Sequence, residues 1–340
     1  MRVTLADIAR EVGVSKSAVA QVLRSDPSCR VASDTRQRIL DTAHALGYLH
    51  NYYAQTLSSG KTRLVGILTA TIQPEVLTRK WMAIEANIRS RGYRTLLRCS
   101  GFDPDYELSV LNEFFQNMVE GIIVLSDIGD EASDALRLLI ERRIPVLRLD
   151  PFKDMPTDCV TVDRAFGAYL ATKHLLDLGH RRIAFMGVQA GLHPSVYHRI
   201  PGYCQALREY GIEPEDSLLL SISGEPTYEV GYESAREMLA RRVDATALFC
   251  CNDQVAIGSM KALHEAGIRI PQDLAIIGFD NISASEYAPV PLTTIAQPVE
   301  EIGRLAVEML FNRMSAPEDS RPPQTLCLQP RLIARESTIG

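Results

Sequence analysis

Three polar residues near the N-terminus, Lys16, Ser17 and Gln21, carry side chains suited to reading duplex DNA. Cationic, hydroxyl and amide groups form hydrogen bonds with base edges in the major groove, which accepts the polar start of an α-helix. The apolar residues that would face inward in a helix here are Val19, Val22 and Leu23. Because these apolar residues occupy the buried face of the helix, the three polar residues face outward. The stretch therefore predicts sequence-specific DNA binding.

Two short helices must position these side chains. In the first helix, apolar residues recur at helical spacing at Leu5, Ile8, Ala9 and Val12. Thr4 can cap that helix, and Asp7 favours its N-terminus. Gly13 can adopt the left-handed conformation of a tight turn, and Ser15 can cap the second helix. The spacing predicts a helix-turn-helix.

A third helix is predicted over residues 33–46, and Gly47 is its expected end. Its predicted inward residues are Ile39, Leu40, Ala43 and Leu46. Residues 1–61 contain eight Lys or Arg and five Asp or Glu, whereas the whole chain has a net charge of -6. A basic head on an acidic body suits phosphate binding without non-specific adhesion. The alternative is a solvated helical cap on an enzyme.

Length and composition limit the class of the remaining chain. More than 250 residues follow residue 61, enough for two ordinary domains, and 46% hydrophobic with 23% charged residues predicts a soluble globular protein. No run approaches about 18 apolar residues, and the N-terminus has no export-signal pattern. Seven cysteines without a C-x-x-C pair indicate reduced thiols rather than disulfides or zinc ligands. We therefore expect a cytoplasmic protein that does not enter a membrane.

The body alternates short apolar runs with helical patterns, which predicts parallel sheets covered by helices. Strands are predicted in a first lobe at 64–69, 95–99, 121–125 and 145–149, with helices at 75–91, 105–118 and 131–142. In a second lobe, the strands are predicted near 182–186, 218–221, 247–250 and 274–279, with helices near 166–178, 195–210, 230–240 and 254–266. A further amphipathic helix is predicted from Pro298 to about Met314. Two such lobes joined by several crossings form a cleft that a ligand can close.

With these motifs in place, the chain resembles the LacI family of bacterial transcription repressors over its whole length. The resemblance implies an α/β fold with an N-terminal all-α helix-turn-helix head, a hinge, and two Rossmann-like, doubly wound lobes of the periplasmic-binding-protein type. The implied segments are a head at 1–47, a hinge at 48–61, an N-terminal lobe at 62–162 and 292–322, and a C-terminal lobe at 163–291 and 323–340.

The same resemblance assigns the DNA-contacting residues. In the family, the hinge folds as a short helix in the minor groove, where a leucine matched by Leu57 wedges between base steps. Asn51 can cap that helix, and Ala54 is small enough to approach the groove wall. The expected DNA-binding residues are Thr4, Ser15, Lys16, Ser17, Gln21, Arg30, Thr35, Asn51, Ala54 and Leu57.

The resemblance also assigns the cleft, one residue at a time. Arg199 matches an arginine that holds ligand hydroxyls or carboxylate, and a planar group with five donors suits both. Asp280 and Asn252 match polar residues at the ends of second-lobe strands, where ligands of open α/β sheets bind. Asp163 is a further candidate, and Phe152 could offer a ring face to a sugar. The structural alternative is that Arg199 tethers a helix and that the three shorter polar residues cap helices.

Other chemistries lack their signatures. No G-x-G-x-x-G follows a predicted strand, no H-E-x-x-H or G-x-S-x-G occurs, and the histidines do not cluster. We therefore expect no catalytic residue, no metal and no cofactor. Two rival classes are a solute-binding protein, which should carry an export signal and no basic head, and a sugar-handling enzyme with an appended cap.

The resulting hypothesis is a homodimeric transcription regulator that binds a near-palindromic operator and responds to a sugar or sugar acid. The resemblance implies that it is a repressor. The alternative is a regulator whose ligand is a corepressor that tightens DNA binding. The sequence does not determine whether the ligand weakens or tightens that binding. No leucine heptad follows the last strand, so we expect no tetramer built by an added helix.

Overall fold

The computed structural model describes residues 3–23, 29–48, 61–126, 130–150, 157–188, 198–315 and 322–339, with only the backbone described at 130–133 and 188. The chain divides into two compact units, Met1–Thr62 and Arg63–Gly340. In the described part of the chain, no helix is long and apolar enough to cross a membrane.

The first unit contains α1 (Leu5–Val12), α2 (Lys16–Leu23) and α3 (Ser33–Ala45). Their shared core is formed by Ile8, Ala9, Val12, Val19, Val22, Ile39 and Ala43. Gly13 ends α1 with φ 75° and ψ 35°, and its N–H donates to the carbonyl of Ala9 at 3.0 Å. Because this left-handed conformation costs glycine little, the chain can turn sharply into α2. The predicted helix-turn-helix is confirmed.

One part of the predicted head core is wrong. Leu40 is 41% exposed and Leu46 is 39% exposed, whereas Ile39 is fully buried. Ile39 and Ala43 lie four residues apart on the inner face of α3, and Leu40 lies about 100° around the helix from Ile39. An apolar residue next to a buried one is therefore on a different face.

The described residues of the second unit form two parallel sheets and a short antiparallel strand pair. The first has six strands, in the order β11, β5, β4, β3, β1 and β2. These strands are β1 (Leu64–Thr69), β2 (Arg94–Cys99), β3 (Gly121–Val124), β4 (Val146–Arg148), β5 (Asp158–Val162) and β11 (Thr325–Leu328). The helices that cover it are α4 (Glu75–Ser90), α5 (Pro104–Gln116), α6 (Asp130–Glu141) and α12 (Val299–Ser315).

The second sheet has four parallel strands in the order β7, β6, β8 and β9. These are β6 (Ile183–Val188), β7 (Leu219–Ser221), β8 (Ala247–Cys250) and β9 (Ala275–Ile277). The helices that belong to it are α7 (Arg164–Asp177), α8 (Ile200–Glu209), α9 (Tyr228–Ala240), α10 (Asp253–Glu265) and α11 (Ser283–Tyr287). Near-continuous apolar strands such as Ala247–Cys250 are buried on both faces, as parallel sheets require.

Strand pairing differs from the predicted lobe boundaries at two places. β10 (Thr294–Ala296) pairs antiparallel with β12 (Arg331–Ile333), and Leu292 and Ile295 pack in the second-lobe core, so residues 292–296 belong to the second lobe. β11 pairs in parallel with β5 and therefore belongs to the first sheet, although residues 323–340 were predicted in the second lobe. Short strands carry too little periodicity to show which sheet they join.

Candidate functional site

The outward polar start of α2 lies where the sequence predicts it. Lys16 and Ser17 are exposed, and Gln21 is half-buried. The Ser15 hydroxyl oxygen accepts a hydrogen bond from the N–H of Ala18 at 3.1 Å, so it caps α2 as predicted. Capping fixes the first helical turn and thereby the direction of the side chains that follow it.

The other predicted DNA contacts have different surroundings. The N–H and hydroxyl of Thr4 donate to the Asp7 carboxylate at 2.9 and 2.7 Å, and these hydrogen bonds lower the pKa of Asp7. The Thr4 hydroxyl therefore already serves α1. Arg30 is exposed, and Thr35 is half-buried in the first turn of α3. Asn51, Ala54 and Leu57 lie outside the described residues.

Arg199 and Asp280, which are far apart in the chain, come together in the second unit. Arg199 directly precedes α8 and is 5% exposed, while Asp280 follows β9 and is 7% exposed. A guanidinium nitrogen lies 4.0 Å from a carboxylate oxygen of Asp280, and the guanidinium carbon lies 4.3 Å from the centre of the Phe279 ring. The Gln297 amide donates to the Asp280 carboxylate at 2.6 Å. The pair is buried and loosely spaced.

Asp280 also has an unusual backbone. Its φ is 109° and that of Asn281 is 50°, values that L-residues rarely adopt. The Asp280 N–H donates to the carbonyl of Ile295 at 2.7 Å, which ties this turn to β10. Strained conformations persist where the surrounding structure holds them, and they concentrate at functional sites. The strain supports a binding role for Asp280.

Asn252 and Asp163 serve as helix caps. The Asn252 side chain accepts the N–H of Val255 at 2.8 Å, and its amide donates to the carbonyl of Pro226 at 2.9 Å. The Asp163 carboxylate accepts the N–H of Phe166 at 2.8 Å. These bonds match the structural alternative for both residues, and their predicted ligand contacts stay predictions. Phe152 lies outside the described residues.

Three further charged residues adjoin the pair. Arg164 begins α7 and forms an ion pair with Asp150 at 2.6 Å, and both have largely buried side chains. Lys80 of α4 is 4% exposed and interacts electrostatically with both arginines and both carboxylates. We call this set the interlobe cluster: Lys80, Asp150, Arg164, Arg199 and Asp280. It joins groups from both lobes beside the carboxyl ends of the strands, where ligands of parallel sheets bind.

A close helix contact sets the spacing of the two arginines. A Cβ on Gly202 would lie 1.8 Å from the carbonyl oxygen of Ala165, so only glycine allows α8 to approach α7 this closely. Arg199 directly precedes α8 and Arg164 begins α7. The glycine therefore keeps two cations near each other. Burial raises the pKa of Asp280, and the positive charges of Arg199 and Arg164 both act against that rise.

Sequence reasoning missed Lys80, Asp150 and Arg164, although the chain carries a signal for Lys80. The buried residues of α4 are Val76, Lys80, Ile84 and Ile88, at a regular step of four. A lysine on an apolar stripe marks either a buried charge or a long side chain that reaches solvent. In the structure, Lys80 is a buried charge. Burial lowers the pKa of Lys80 to about 8, and the positive charge of Arg164 is the next cause.

Two hydrogen-bonded contacts join the lobes beside the cluster. The N–H and hydroxyl of Ser283 both donate to the Glu75 carboxylate at 2.8 Å. Arg79 donates to the carbonyl of Asn281 at 2.9 Å. Glu75 and Arg79 belong to α4, as does Lys80, so one helix carries the cluster lysine and both contacts to the second lobe.

Comparisons with known proteins agree with this architecture. A family model described as bacterial regulatory proteins, lacI family, matches residues 4–51, and one described as a periplasmic binding protein-like domain matches residues 172–338. The repressor PurR of Mannheimia succiniciproducens is 32% identical over 98% of each chain. Catabolite control protein A of Priestia megaterium is 32% identical over 99% of this chain and 100% of that relative.

Solved structures show the same fold. The Lac repressor dimer bound to operator and the anti-inducer ONPF has a TM-score of 0.85 at 24% identity and covers 100% of both chains. A LacI-family regulator from Enterococcus faecium with bound ribose has a TM-score of 0.71 at 33% identity and covers 81% of this chain and 98% of that one.

The fold and the two sites define a helix-turn-helix DNA-binding regulator with a two-lobed ligand-binding unit. The chain belongs to the LacI family of bacterial transcription regulators. It is therefore a transcription regulator and not an enzyme, and the expectation of a regulator over a sugar-handling enzyme is confirmed.

Proposed function

We propose that this protein is a homodimeric, cytoplasmic repressor whose affinity for a near-palindromic operator is controlled by a sugar or sugar acid bound at the interlobe cluster. The observation that carries the proposal is the buried Arg199 and Asp280 pair, whose groups lie 4.0 Å apart on a strained turn. A guanidinium group can donate hydrogen bonds to the hydroxyls of a ligand and a carboxylate can accept them, so this pair suits a ligand with several hydroxyls.

The DNA side of the proposal rests on α2. Two heads related by a two-fold axis bind two half-sites, because the symmetry of the protein demands a matching symmetry in the operator. Exposed Lys16 and Ser17 contact bases or phosphates in each half-site. In the proposed DNA complex, the hinge helix adds Asn51, Ala54 and Leu57 in the minor groove.

The ligand side rests on the cluster and on the relatives. A neighbour in fold is a CelR complex with cellobiose, and another holds ribose, which supports a sugar-like effector. Lobe closure around the ligand changes how the two first lobes meet across the dimer, and thereby whether both hinges can fold together on DNA. A coupling of roughly 1 to 3 kcal/mol per site is the usual scale of such linkage.

Fluorescence anisotropy with labelled duplexes from the DNA that flanks the gene tests this function. We expect specific binding that a sugar or sugar acid weakens, and Arg199→Ala should abolish that response while the protein stays folded. Arg208→Ala on the exposed side of α8 is the matched control and should respond as the wild type does. If no duplex binds better than random DNA, the proposal is wrong.

The corepressor form is distinguished in the same assay by its sign. If the ligand tightens operator binding, the protein is regulated by a corepressor. Arg199 then has the same role in the response.

A further inference from the structure

The charges of the interlobe cluster do not balance. Arg164 has Asp150 as its carboxylate partner at 2.6 Å, and Arg199 has Asp280 at 4.0 Å. Lys80 is the third cation and is 4% exposed. Among the residues that the structure describes, its ammonium group forms neither an ion pair nor a hydrogen bond. A buried ammonium group without a counter-ion is costly, and the described part of the chain supplies no counter-ion for Lys80, so a bound anion would stabilise this site.

Asp253 is another buried carboxyl group, and its hydrogen bonds lie within the second lobe. It accepts hydrogen bonds from the N–H of Ile282 at 2.9 Å and from the hydroxyls of Ser285 and Thr294 at 2.6 and 2.5 Å. These donors belong to the segment that follows Asp280, to α11 and to β10, all within the second lobe. Asp253 therefore stabilises that segment, and among the described residues no hydrogen bond or ion pair joins it to Lys80.

We infer that the effector is an anion, and that Lys80 binds its carboxylate or phosphate group. The inference rests on the proposed function, since it concerns the ligand of the same cluster. Arg199 and Asp280 hold the hydroxyl-bearing part, while Lys80, with Arg164 beside it, holds the acidic end. The preferred class is a hydroxy acid, such as a sugar acid or a sugar phosphate.

Charge explains why a neutral sugar fits less well. A hydroxyl group can accept a hydrogen bond from Lys80 but adds no negative charge against three buried cations. A carboxylate or phosphate forms a charge-assisted hydrogen bond, which is shorter and stronger than a neutral one. It also offsets the repulsion that Arg164 and Arg199 exert on Lys80. The effect is greatest in a site from which water is excluded.

Matched ligand pairs test the inference on the full-length protein. D-Glucose, D-galactose and D-ribose are compared with D-gluconate, D-galacturonate, glucose 6-phosphate and ribose 5-phosphate, first by thermal shift and then by calorimetry. We expect an acid to bind at least tenfold more tightly than its neutral counterpart. The carboxylate and phosphate arms show which anion the site takes.

Variants assign the effect to Lys80. Lys80→Met should weaken binding of the best acid by tenfold to a hundredfold and leave any neutral sugar within about twofold. Lys80→Arg should retain most of the affinity, and Lys261→Met, which removes an exposed lysine of α10, should change nothing. Circular dichroism verifies that each variant is folded.

The outcomes separate this inference from the proposed function. If no acid of the panel binds, or if Lys80→Met binds the best acid as tightly as the wild type, the inference is wrong. A neutral sugar that binds wild type and Lys80→Met equally and is lost in Arg199→Ala overturns the acidic effector but leaves the proposed function intact. If Arg199→Ala retains the full response, the proposed function fails as well.

Discussion

The two sites of this protein use charge in opposite ways. On α2, Lys16 and Ser17 are adjacent and exposed, so both side chains are hydrated. In the interlobe cluster, Lys80, Arg164 and Arg199 come from separate segments and are almost fully buried. A surface that scans many DNA sequences works with mobile, hydrated groups, whereas a site for one small molecule needs charges that are already desolvated and oriented.

The comparison extends to what each site costs the fold. Lys16 and Ser17 of α2 can be exchanged with little effect on stability, because both are exposed. Burial of Lys80 lowers its pKa to about 8, which means that the folded protein holds this charge against a desolvation penalty. Such a destabilised site is expected where ligand binding supplies the missing interaction.

The largest expected effect separates the two units. Ile39→Ala removes a fully buried side chain from the head core and should destabilise the head by about 2–5 kcal/mol. Anisotropy should then show loss of specific DNA binding, while calorimetry should show unchanged effector affinity. Leu40→Ala, at a position that is 41% exposed, is the control and should affect stability little. Equal loss of effector affinity in Ile39→Ala would contradict the division of the chain into two compact units.

A second prediction concerns the cost of the buried lysine. Without ligand, Lys80→Met should stabilise the second unit by about 1–3 kcal/mol at neutral pH, because it removes an ammonium group whose pKa is lowered from 10.5 to about 8. Urea unfolding measures the change, and Lys261→Met, at an exposed position, should leave stability unchanged. A destabilised Lys80→Met would mean that the lysine is paired in solution.

The pH dependence of that difference follows from the sign of the shift. Above about pH 8 the folded protein binds fewer protons at Lys80 than the unfolded chain does, so the wild type gains stability as the pH rises toward 10.5. The advantage of Lys80→Met should therefore be complete below pH 8 and vanish by about pH 10.5. The charged groups that act on the pKa of Lys80 are Asp150, Arg164, Arg199 and Asp280. A difference that is constant over this range would contradict the assignment.

The smallest expected effect compares two neighbouring serines. Ser15→Ala removes the cap of α2 and should cost about 1 kcal/mol of head stability. Ser17→Ala, at an exposed position, should leave stability unchanged and weaken DNA binding. Thermal unfolding and anisotropy of both variants separate a positioning residue from a DNA-contacting one, and identical profiles for the two would contradict this division.

Much of the fold follows from local patterns. The alternation of apolar runs and helical spacing predicted both sheets, and the caps and Gly13 predicted the head, because these signals lie within a few residues of each other. Leu40 shows the limit: it is apolar and adjacent to a core residue, yet it is 41% exposed. Strand β11 shows another, since only its pairing with β5 reveals which sheet it joins.

The sequence by itself determined the helix-turn-helix, the polar start of α2 and the class of the two lobes, because periodicity and capping depend on neighbouring residues. Only the tertiary structure decided that Lys80 joins Arg199 and Asp280, which follow it by more than a hundred residues, and that Asn252 and Asp163 cap helices. Burial and pairing of a charge depend on segments that come into contact only in the folded chain, so a local sequence pattern does not predict them.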